Sequence, residues 1–178
     1  MPGHSGHFAK TAMTTAIHTK AQNTNAGIAT DLSPEAARAE HIENLLGGEA
    51  LVGRLRSDMD VIALVREGVP TGAVRHFADR GLGDFGVIDR SVLPRRTFKR
   101  REDTGQRLDP MESDRLLRLV RLVAFAEATF GNSEKALAWL SRPTKALHGQ
   151  APISLSDTDH GVQAVETLLG RIGHGIAA

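Results

Sequence analysis

The run Leu93-Pro-Arg-Arg-Thr-Phe-Lys-Arg-Arg101 carries five cations and no acid. Wound into a helix at about 100° per residue, Arg95, Arg96, Lys99 and Arg100 fall within an arc of about 140°, while Thr97 and Phe98 point the other way. A helix with an apolar anchor and a cationic face can grip phosphates and guanine edges in a DNA groove; it can also be a solvated charged surface. A short helical stretch and a tight turn at Ser91 to Leu93 stand just before it, giving the order helix, turn, basic helix. That order weighs toward nucleic acid, and a solvated surface is the alternative.

Other chemistries find little support. Cysteine is absent, so there is no thiolate nucleophile, disulfide framework or sulfur-based zinc site. His4 and His7 lack a fixed third ligand, and His41, His76, His148, His160 and His174 are scattered singly, without a His-Glu-x-x-His motif. Nothing argues for an enzyme, a metal or a cofactor. Gly81-Leu-Gly83-Asp-Phe-Gly86 has the spacing of a dinucleotide loop, but that loop needs a strand before it, and the residues here are helical in pattern. These glycines read instead as the end of one helix and the turn to the next.

The elements that would position the basic run are helices almost throughout. Ser33-Pro34-Glu35 is a helix start, followed by Ala37, Ile42, Leu45 and Leu46 and stopped at Gly47 and Gly48. Further helices are expected from Ser57 to Gly68, from Thr71 to Gly81, from Asp84 to about Arg90 and from Pro94 to about Glu102. Asp109-Pro110-Met111-Glu112 has the cap, proline and acid of another start, opening a helix that runs to Gly131. Glu134 to Leu140 and Thr158 to Ile172 complete the set, and no run alternates as a strand would. The long helix is apolar around most of its circumference, with Arg115, Arg118 and Arg121 as a narrow stripe. It is expected to be the spine of its module or an interface helix.

The fold class is therefore all-α. Residues 1–30 read as a disordered tail, 31–105 as an N-terminal helical module and 106–178 as a C-terminal one, with a polar seam at Thr104 to Arg107. The net charge of +1 hides a distribution. Residues 89–107 carry seven basic and three acidic side chains, whereas residues 31–88 carry six and ten. No stretch approaches the roughly 20 apolar residues of a membrane span, so a soluble, cytoplasmic protein is expected.

Four stretches together resemble the MbcA/ParS/Xre antitoxin family. They are the basic run, Leu108-Asp-Pro-Met-Glu-Ser-Asp-Arg-Leu-Leu-Arg-Leu119, Phe130-Gly-Asn-Ser-Glu-Lys-Ala-Leu-Ala-Trp-Leu140 and Leu168-Leu-Gly-Arg-Ile-Gly-His-Gly175. The resemblance covers approximately residues 60–178. It implies an Xre-like helix-turn-helix module followed by a helical toxin-binding domain, a RES-domain toxin that consumes NAD or transfers ADP-ribose as partner, and operator DNA as a second one. It adds Thr97 and Arg101 to the DNA-binding candidates Arg95, Arg96, Lys99 and Arg100. It also places Arg171, Ile172, Gly173, His174, Gly175 and Ile176 in a segment that lies at the mouth of the toxin's active site. A homodimer or a toxin–antitoxin hetero-oligomer follows, because one recognition helix contacts few bases; a stand-alone helix-turn-helix regulator is the alternative. Two residues depart from the family pattern: Pro94 where a Ser-like cap is common, and Gly173 where Glu often stands. Residues 157–178 carry three acids and one Arg, so a slim acidic terminus would suit a cationic pocket.

Overall fold

The computed structural model describes residues 33–81 and 85–175. The expected tail at 1–30 and the central residues of the glycine motif, Leu82 to Asp84, lie outside them. Within the described residues there are nine α-helices and no strand; one isolated antiparallel bridge joins Thr144 to Gln150.

Helix α1 (Pro34–Leu45) starts where the Ser33 Oγ accepts the Ala36 N–H, and it buries Ala39, Ile42 and Leu45. A single turn, α2 (Glu49–Val52), separates it from α3 (Asp58–Glu67), which is capped by Ser57. Helix α4 (Thr71–Ala78) has Ala73, Val74 and Phe77 at 0% exposure and ends at Asp79. It stops before Gly81, which lies in the following turn with φ 97°. Helices α5 (Gly86–Ser91) and α6 (Arg95–Thr104) form the expected helix pair, closed by Gly105 at φ 66°.

Helix α7 (Pro110–Phe130) is the spine. Its start is a reciprocal capping box: Asp109 accepts the Glu112 N–H and the Glu112 carboxylate accepts that of Asp109. Leu116, Leu119, Val120, Leu122 and Ala126 are fully buried. One side packs on α1 and α3, and the other on α8 (Ser133–Ser141) and α9 (Asp159–Gly173). Two arginines of its stripe pair across to a neighbouring helix. Arg118 pairs with Asp159 at 3.4 Å and Arg121 with Glu166 at 3.3 Å, both on α9.

Two 3-10 segments that the helical pattern did not reveal, Lys145–Leu147 and Pro152–Asp157, fill the space between α8 and α9. The second approaches α9 so closely that a Cβ on Gly161 would stand 2.1 Å from the Leu155 carbonyl oxygen. At the other end, the turn after α3 is stitched to the start of α7. The Leu108 N–H donates to the Val69 carbonyl, and the Val69 N–H donates to Ser113 Oγ at 2.9 Å. The seam at Thr104 to Arg107 is therefore bridged on both sides by hydrogen bonds.

Candidate functional site

The pair α5–α6 is built around Ile88, Val92, Leu93 and Phe98, each at most 2% exposed. The turn is tight because both Val92 N–H and Leu93 N–H return to the Ile88 carbonyl. Pro94 occupies the cap position of α6 and offers no side-chain oxygen. The Asp89 carboxylate of α5 takes over that task, accepting the Arg95 N–H. An acid near the first turn of α6 also complements the helix dipole.

With Phe98 anchored inward, the rest of the basic run sorts into two groups. Arg95, Arg96 and Arg100 are exposed and have no carboxylate partner among the described residues. Lys99 is also exposed, but reaches Asp103 at 2.7 Å, which raises its pKa through that hydrogen bond and charge. Thr97 is half-buried. Arg101 faces inward: its side chain is 16% exposed and contacts Glu112 at 2.9 Å, Asp109 at 3.4 Å and the Arg107 carbonyl at 2.9 Å. The helix winding puts it on the α7 side, so it serves as a tie between α6 and α7.

The C-terminal candidates lie at the end of α9. Val162, Val165, Leu168 and Leu169 fix the buried face of this helix, and the two arginine pairs from α7 hold its flank. Arg171, Gly173, His174 and Gly175 are then exposed, while Ile172 is half-buried against the core. His174 Nδ1 sits 2.6 Å from the Gly170 carbonyl and can only donate to it, which aims Nε2 outward. A Cβ at Gly173 would meet Thr129 at an ordinary 3.7 Å, so packing alone does not demand glycine there. Ile176 lies outside the described residues.

Comparison with known proteins finds two matched regions. Residues 60–121 match the Antitoxin Xre-like helix-turn-helix domain, and residues 125–175 match the Antitoxin Xre/MbcA/ParS C-terminal toxin-binding domain. A protein named Antitoxin Xre from Pseudomonas putida is 33% identical over 125 residues, covering 70% of this chain and 77% of its own. Further proteins of that name are similar: one from Yersinia enterocolitica is 39% identical over 51% of this chain and 62% of its own, and one from Photorhabdus laumondii is 32% identical over 65% and 80%. The chain belongs to the Xre/MbcA/ParS antitoxin family. It joins a helix-turn-helix to a toxin-binding domain, as expected of a type II antitoxin.

In this family member the two matched regions meet inside α7, so a single helix carries the end of one and the beginning of the other. Sequence reasoning overlooked two parts of the helix-turn-helix of this antitoxin. One is the Asp89 cap, whose only sequence signal is an acid six residues before Arg95. The other is Arg75 on α4, whose guanidinium lies 5.3 Å from the Phe98 ring centroid and grips Glu102 at 2.9 Å. A lone arginine on an otherwise ordinary helix gives no signal until the fold brings it beside the basic run.

Proposed function

We propose that this chain is the cytoplasmic antitoxin of a type II pair, and that it neutralises a RES-domain toxin, which consumes NAD or transfers ADP-ribose, by presenting the end of α9 to the toxin's active site. The presentation of Arg171, Gly173, His174 and Gly175 at the exposed end of α9, a helix seated in the core by Val165, Leu168 and Leu169, carries this reading. The buried apolar face fixes the direction of the helix, and the small terminal residues reduce the cross-section that must enter a pocket. In this reading residues 31–105 serve DNA and residues 106–178 serve the toxin. The test is co-purification with a RES-type toxin encoded beside the gene, followed by NAD measurement with and without the antitoxin. Deleting residues 173–178 should release toxin activity; binding and inhibition that both survive the deletion overturn active-site occlusion.

The second part of the proposal is that α6 lets the protein repress its own promoter, as a homodimer or within the toxin complex. The exposure of Arg95, Arg96 and Arg100, without a carboxylate partner among the described residues, supports it, because such cations are available to phosphates. Replacing Arg96 and Arg100 with Ala should abolish operator binding and spare inhibition. DNA affinity should also fall steeply with salt, with a log–log slope of about −0.9 per phosphate contacted. A chain that binds its promoter but leaves toxin activity untouched would instead be a stand-alone regulator.

A further inference from the structure

A concavity of about 430 Å³ opens between α4 and the α5–α6 pair, lined by Arg75, Phe85, Arg95, Arg96, Phe98 and Lys99. Its base is an aromatic pair, Phe85 and Phe98, with ring centroids 4.7 Å apart. Two guanidiniums lie over that pair: Arg75 at 5.3 Å from the Phe98 centroid and Arg95 at 6.0 Å from that of Phe85. A guanidinium resting on a ring loses side-chain freedom and part of its hydration, while its N–H edges stay available to an anion. The larger concavity of the molecule, about 760 Å³ between α1, α3, α7 and α9, differs in its charges. There Arg38 is matched by Asp58 and Arg121 by Glu166.

We propose that the smaller concavity is a seat for a backbone phosphate of DNA, with Arg75, outside the basic run, as one of its ligands and Glu102 as the carboxylate that holds Arg75 when DNA is absent. The inference rests on the DNA-binding reading of α6. Glu102 accepts from Arg75 Nε on Oε1 at 3.2 Å and from Nη2 on Oε2 at 2.9 Å, the two-pronged geometry that arginine also offers to a phosphate. The remaining nitrogen, Nη1, has no partner among the described residues, so a phosphate can join the fork before it displaces the carboxylate. Lys99 follows the same pattern, held by Asp103 at 2.7 Å and Glu102 at 3.6 Å. Two acids at the end of α6 thus mask two cations of the seat, while Arg95 and Arg96 have no such acid among the described residues. Such masking lowers affinity for DNA in general, because each phosphate must compete with an internal carboxylate before it gains a contact.

The test uses the full chain and a labelled duplex from directly upstream of its gene, titrated at several salt concentrations. Arg75→Gln should weaken binding about tenfold and reduce the log–log salt slope by about 0.9, similarly for operator and unrelated duplexes, because a phosphate contact carries no sequence information. Arg75→Lys should keep the slope. Glu102→Gln should tighten binding more than Glu134→Gln, which removes an equal charge on α8, and that advantage should vanish in the Arg75→Gln background. Unchanged helical circular dichroism and melting temperature exclude a structural origin. If Arg96→Ala with Arg100→Ala abolishes binding while Arg75→Gln changes neither affinity nor slope, the seat is wrong and the DNA reading stands. If neither replacement affects DNA binding, both fall. If inorganic phosphate raises the melting temperature relative to chloride at equal ionic strength, and Arg75→Gln removes only that effect, the seat takes free phosphate and the DNA assignment is overturned.

Discussion

Arg101 Nη2 lies 2.9 Å from Glu112 Oε2, joining the outer end of α6 to the first turn of α7, with side chains 16% and 12% exposed. Two charges this sheltered depend on each other, since either alone would be left poorly hydrated. Arg101→Ala should therefore cost about 2–3 kcal/mol of stability, whereas Arg96→Ala, at an exposed position, should stay within about 0.5 kcal/mol. Urea unfolding of the two variants checks the contrast; equal midpoints would show that Arg101 is as free as Arg96.

The same comparison shows what could be read from the chain in advance. Caps, prolines and the apolar period located α1, α3, α6, α7 and α9, because Ser33, Ser57, Asp109 and Thr158 act within three residues of themselves. The basic helix was legible because Phe98 set its rotation. The partner of each cation was not. The winding that turns Phe98 inward also takes Arg101 off the exposed arc of Arg96, but that Glu112 and Asp109 await it there is set by the position of α7. Helix α2 and the 3-10 segments escaped because three to six residues are too few to show a helical period. The bracing of α9 by Arg118 and Arg121 escaped because Asp159 and Glu166 are more than forty residues away.

Part of the acid sensitivity of the fold should come from Glu127. Its carboxylate, 8% exposed, meets His41 at 2.8 Å and Arg80 at 3.3 Å. Burial pushes its pKa up, but hydrogen bonds from Ser133 and His41 and the charge of Arg80 outweigh it, and the carboxyl sits below its usual range. A lowered folded pKa means that the ionised form stabilises the fold. That contribution is complete above the ordinary glutamate value of about 4.3 and is lost as pH falls through the lower folded value. Glu127→Gln should unfold more readily at neutral pH, and its urea midpoint should fall less than the wild type's on acidification. A parallel acid limb for both proteins would remove Glu127 from this role.

Ser113 should matter for its hydroxyl alone. At 0% exposure it accepts the Val69 N–H across 44 residues. Ser113→Ala leaves that donor buried without a partner, a loss of about 1–3 kcal/mol. Ser113→Thr keeps the acceptor but adds a methyl group at a fully buried position, so it should recover only part of the loss. A hydrogen-exchange measurement should show the Val69 amide exchanging faster in the alanine variant. Unchanged protection there would mean that another group satisfies it.

Gly161 offers a test of whether the described helices unfold together. An added methyl group would overlap the Leu155 carbonyl at 2.1 Å and crowd the Thr158 hydroxyl at 2.9 Å, so Gly161→Ala should cost about 2–3 kcal/mol through displacement of the α9 start. Because α9 leans on α7, and α7 also carries α1 and α3, that loss should reach the whole helical assembly. Trp139, the sole tryptophan, lies in α8 with its ring 5.7 Å from Phe130 and reports on the C-terminal helices. Circular dichroism reports on all of them. In the wild type and in Gly161→Ala, the fluorescence and dichroism unfolding curves should coincide and shift by the same amount. A tryptophan transition that moves while the dichroism curve splits would mean that the α7 contacts fail to couple its two sides, and that the helix-turn-helix and C-terminal halves fold independently.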